Sequence, residues 1–73
     1  MDNINHPQHY TNGKYECLDV IESVVCFLGG REGYYIGNII KYVWRWKFKN
    51  GVEDLKKARF YLDRLIEMIE REK

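Results

Sequence analysis

A chain of 73 residues with 45% hydrophobic side chains, 15% aromatics and one proline is too apolar to stay disordered and too short for more than one domain. Its formal net charge of +1 sets it apart from proteins that grip nucleic acid through a strongly basic surface. More large apolar side chains are present than a small monomer hides easily, so self-association into a homo-oligomer is expected.

Residues 1–15, "MDNINHPQHYTNGKY", read as a polar N-terminal arm, with Pro7 restricting the backbone and Asn12-Gly13 marking a turn. No apolar core of a signal peptide is present, and no segment approaches the roughly 18 uninterrupted apolar residues of a membrane span. The arm carries His6, His9 and Tyr10. Two histidines in so short a polar stretch can bind phosphate or move protons, or simply be solvated; a metal site would need further ligands, and none stands at a recognisable spacing.

The remainder, residues 16–73, reads as a single all-α domain of three helices spanning about 16–29, 33–49 and 52–71. In helix one, Leu18, Ile21, Val25 and Leu28 recur at spacings of three and four, and Gly29-Gly30 marks its stop. Cys17 and Cys26, nine apart, fit neither a redox CxxC pair nor a zinc pattern and read as reduced, partly buried thiols. Glu16, Asp19 and Glu22, with Glu53 and Asp54 later, leave open a magnesium-holding carboxylate cluster or ordinary helix-start and surface acids.

Helix two contains "GNIIKYVWRWKFKNG", residues 37–51, and Asn50-Gly51 closes it with basic residues in the last turn. At 100° per residue, Ile36, Ile39, Ile40, Val43 and Trp44 fall on one broad side. Asn38, Lys41 and Arg45 line the opposite stripe, flanked by Tyr34, Tyr42 and Lys49. An amide, an ammonium, a guanidinium and phenol rings are the groups a nucleotide site uses, although the same stripe could be a solvated face. Gly37 within the helix suggests a close approach by backbone or ligand.

Helix three repeats Leu55, Ala58, Leu62, Leu65 and Ile69 at three-four spacing, with Tyr61, Ile66 and Met68 widening the apolar face. Glu53 with Lys57, and Arg59 with Asp63, form i,i+4 pairs on what reads as its solvated side. The chain has no GxxxxGK[ST] loop, GxGxxG, HExxH or G-x-S-x-G, which excludes P-loop kinase chemistry. Near-neutral charge and the apolar side of helix two also weigh against nucleic acid as a partner.

Four stretches in order, "HPQHY" (6–10), "ECLDVIE" (16–22), "GYYIGNIIKYVWRWKFKNG" (33–51) and "EDLKKARFYLDRLIE" (53–67), resemble the SaV-like family of small bacteriophage proteins. The resemblance implies a phage origin and the host cytoplasm. A related group includes a coliphage kinase that phosphorylates deoxynucleoside monophosphates, lacks a P-loop, assembles into an oligomer and carries a further N-terminal region. It would make this chain a nucleotide-binding protein with ATP as phosphate donor. Carried over by position, the resemblance implies His6, His9, Lys41 and Arg45 as catalytic groups and Tyr10, Asn38, Tyr42, Asp54 and Lys57 as ligand-binding groups, with no metal ligand. The family also points toward host defence. The second expectation is therefore a non-enzymatic counter-defence or host-modulating protein that binds a host protein or sequesters a nucleotide signal.

Overall fold

The computed structural model describes residues 15–72 and is all-α. Helices α1 (Cys17–Val25), α2 (Gly30–Arg45) and α3 (Val52–Arg71) follow in order, with a 3-10 turn at Trp46–Phe48 between the last two. His6, His9 and Tyr10, with the rest of residues 1–14, lie outside the described residues.

Both glycine signals act differently from the sequence expectation. Helix α1 ends at Val25, before the double glycine, and Leu28 N–H turns back to the Val25 carbonyl at 2.9 Å. Gly29, extended at φ −69° and ψ 170°, is the N-cap of α2, and Gly30 is its first residue. The pair therefore starts a helix, a role glycine fills about as well as threonine. At the other end α2 gives way to the 3-10 turn after Arg45. The chain reverses there, with Gly51 N–H donating to the Trp46 carbonyl at 2.7 Å. Gly51 is the one described residue with positive φ, at 61° with ψ −132°, a conformation open essentially to glycine.

Helix α2 packs against both neighbours. Gly33 and Gly37, one turn apart, face α1, where an added Cβ would meet Val25 Cβ at 3.6 Å and Ile21 Cγ2 at 3.4 Å. The close approach expected at Gly37 is thus that of Ile21. Being covered on two sides also changes the outer stripe of α2: Arg45 is buried, whereas Val43, expected on the core side, is half exposed. The wheel of one helix could not anticipate this, because the cover for Arg45 comes from the first turn of α3.

The apolar rhythm of α3 divides into two seams. Ala58, Leu65 and Met68 are buried together with Asp54, while Leu55, Leu62, Ile66 and Ile69 stay 37–45% exposed. Burying Leu65 and Met68 stabilises the fold by roughly 1.5–3 kcal/mol each. Cys17, at the start of α1, is also buried, but Cys26 is exposed. At the far end an exposed ion pair between Arg31 and Glu72 links the first turn of α2 to the end of α3.

Candidate functional site

The junction of α2 and α3 is built around Asp54, which is completely buried. It is the third residue of α3, and the helix has no side-chain cap of its own because Gly51 occupies the N-cap. Asp54 compensates by reaching back one residue further than a capping box does. Its Oδ2 accepts from Asn50 N–H at 3.3 Å, and its Oδ1 accepts from Asn50 Nδ2 at 3.1 Å.

The same carboxylate accepts from Arg45, Nε to Oδ2 at 3.3 Å and Nη2 to Oδ1 at 3.4 Å. Each oxygen therefore faces one guanidinium nitrogen in the side-by-side arrangement that suits arginine. Burial pushes the Asp54 carboxyl up, but the hydrogen bonds from Asn50 and Arg45, with the charge of Arg45, outweigh it and hold the group below its ordinary value. Asp54 is thus an anion at neutral pH, and it neutralises Arg45 in the interior.

Tyr42 lies next to this pair. The Arg45 guanidinium carbon sits 4.8 Å from its ring centroid, Lys41 Nζ 4.6 Å and Lys57 Nζ 5.5 Å. All three are within cation–π range. Tyr42 stacks on Tyr61 at 6.0 Å and 11°, and Tyr61 meets Tyr34 and Phe60 edge-on. A hydrogen bond with the Tyr34 side chain, then burial, raise the Tyr61 phenol above its ordinary value, so it stays protonated at neutral pH.

An open pocket of about 320 Å³ lies against this stack, lined by Tyr42, Glu53, Lys56, Lys57, Phe60 and Tyr61. Lys57 is held by Glu53 across one turn at 3.6 Å, with its side chain 41% exposed. A phosphate entering the pocket could replace Glu53 as the partner of Lys57. The rings of Phe60 and Tyr61 give the pocket an apolar wall of the kind a flat base packs against. Cations beside aromatic faces, reached from solvent, make up the chemistry of an anion-plus-ring ligand site.

Of the residues expected from the sequence, Lys41, Tyr42, Arg45, Asp54 and Lys57 come together here. Arg45 and Asp54, however, are engaged with each other inside rather than presented to solvent. Asn38 Nδ2 donates to the Tyr34 carbonyl of its own helix at 2.8 Å. Lys56, Phe60 and Tyr61 line the pocket without standing out in the sequence as ligand groups, and Glu53, a candidate there only for the carboxylate cluster, lines it as the partner of Lys57. Their spacing, with Lys56 and Lys57 one turn before Phe60 and Tyr61, was a readable signal.

Cys17 lies close enough to Lys41 and Arg45 to feel their charge, but burial dominates and pushes its thiol up, against the reactive thiolate. Among the described residues no three His, Cys, Asp or Glu side chains come together as a metal-holding group. The carboxylate-cluster alternative loses Asp54 to Arg45. Among these residues, too, no helix is long and apolar enough to cross a membrane.

The fold and pocket describe a small all-α domain with a cation–aromatic cleft. The chain belongs to the DUF3310 family, a family of proteins of unknown function, whose profile matches residues 4–63. No curated protein and no solved structure gives a significant match.

Proposed function

We propose that this is a phage-encoded nucleotide-binding protein whose ligand enters the cleft between α2 and α3. One observation carries the reading: Lys41 and Lys57 converge on Tyr42 beside an open pocket walled by Phe60 and Tyr61. The base stacks on the aromatic wall, and the phosphates meet Lys41 and Lys57. Arg45, tied to Asp54, supports Tyr42 from behind instead of reaching for phosphate on its own.

The finer form of the proposal is a P-loop-less deoxynucleoside monophosphate kinase, and it rests on the resemblance to SaV-like phage proteins. In it the γ-phosphoryl group of ATP passes to a monophosphate oxygen, leaving ADP and the deoxynucleoside diphosphate. Lysine ammonium groups offset the charge on the transferred oxygens. His6 and His9 are the groups that the resemblance offers for moving the proton.

Calorimetry with each deoxynucleoside monophosphate tests binding, and incubation with ATP tests transfer. Binding should weaken at least about tenfold, or about 1.4 kcal/mol, in a Lys41→Ala, Lys57→Ala variant. Binding without a diphosphate product removes the kinase and keeps the binding protein; no binding at all removes both.

Exposed Phe27, at 88%, and Phe48, at 62%, favour a second reading, a host-modulating protein that docks on a host partner through aromatic side chains. A host protein captured by the wild-type chain and lost with Phe27→Ala and Phe48→Ala supports it. Equal capture by both discards it.

A further inference from the structure

On α3 one line of residues outside the core follows a strict rhythm: Val52, Leu55, Arg59, Leu62, Ile66 and Ile69, at spacings of three, four, three, four and three. These are successive a and d positions of a heptad, the pattern of a two-helix seam. The apolar members are 63%, 37%, 44%, 45% and 43% exposed in chain order. The second seam of the same helix, with Ala58, Leu65 and Met68, is already buried inside the chain. One helix thus carries an occupied seam and an open one.

We propose that the open seam pairs with the same seam of a second copy, in antiparallel orientation. Charge decides both the occupant and the direction. Arg59 stands at an a position, and parallel pairing would set it against Arg59 of the second copy, like charge on like charge. Antiparallel pairing sets it against Leu62 instead, places Val52 opposite Ile69 and Leu55 opposite Ile66, and repeats each contact about the two-fold axis. The free flank of the seam is Lys56, Asp63 and Glu70, basic in the first half of the helix and acidic in the second. Reversing one helix therefore brings Lys56 to an acidic residue of the second copy. The seam is complementary to itself only when one copy is turned around.

Light scattering on the 73-residue chain should return twice the 8.8 kDa of one copy or a multiple of it. Leu62→Asp should shift the mass toward one copy. Because that change could unfold the chain, a gentler variant, Asp63→Lys with Glu70→Lys, touches only exposed residues. It should weaken association about tenfold with the helical spectrum unchanged. Direction is read by mixing a Leu55→Cys chain with an Ile66→Cys chain, both in a Cys26→Ser background, and oxidising. The mixed dimer should predominate. A monomeric mass at about 100 μM, a concentration at which an interface with a dissociation constant of about 1 μM is nearly all dimer, overturns the proposal. So do an unchanged mass in both charge variants or cross-links joining Leu55→Cys chains to each other.

Discussion

Asp54 and Arg45 are the residues on which the end of α2 and the start of α3 most depend. A buried ion pair is weak evidence of net stabilisation, because both groups gave up water to form it, but removing one partner leaves the other charged and alone. The contacts here are long, 3.3 and 3.4 Å, which argues for the lower end of the usual range. Asp54→Ala is expected to cost about 3 kcal/mol in chemical denaturation, set against the roughly 4–11 kcal/mol typical of a 73-residue domain. Replacing both residues together by apolar ones of similar size should cost less than Asp54→Ala alone. The lowered carboxyl also has a pH consequence. Between its folded value and the ordinary carboxylate value near 3.9, the unfolded chain binds the proton and the folded chain does not, so stability falls as the solution is acidified through that window. Asp54→Asn should flatten this part of the acid limb, as read by thermal midpoint against pH. Neither partner's role could be read from composition. They lie nine residues apart in different helices, and only the reversal at Asn50-Gly51 brings them together.

At the scale of elements, that reversal depends on one backbone conformation. Gly51 holds φ 61° and ψ −132° with no neighbour near its missing side chain, so the obstacle to substitution is strain rather than space. Gly51→Ala should cost roughly 1–3 kcal/mol, seen as a lower melting temperature with unchanged helical content below it. The existence and order of the three helices were legible from apolar spacing, and helix three nearly to the residue. Two boundaries were not, because glycine punctuates a sequence without saying which side of the break it serves. Gly29-Gly30 opens α2 where the sequence suggested that it closes helix one. The division of α3 into two seams was equally hidden: Leu55 and Leu65 have the same hydrophobicity, and only the position of α2 decides which is covered. For the candidate site, the wheel of helix two brought out Lys41 and Tyr42, whereas the aromatic wall of Phe60 and Tyr61 required both helices in place.

Across the whole molecule, holding power is unevenly spread. Helix α3 has 20 residues and α1 has nine; an isolated helix shorter than about 12–15 residues is marginal in water. Helix α1 therefore exists through its docking, chiefly against α2, where Ile21 and Val25 rest on the bare backbone of Gly33 and Gly37. A helix this short, held by docking alone, can let go without melting the rest, as a local opening. The chain carries its own reporter of the event, since Cys17, at 1% exposure, sits on the detaching segment. A thiol reagent should label Cys26 at once and Cys17 slowly, with the slow phase quickened by Gly37→Leu, which displaces Ile21. Cys17 protected for as long as the slowest amides of α3 would instead mean that α1 leaves only when everything unfolds. The glycine groove would on this view set a clock: how often the buried thiol meets solvent measures how loosely the first helix is moored.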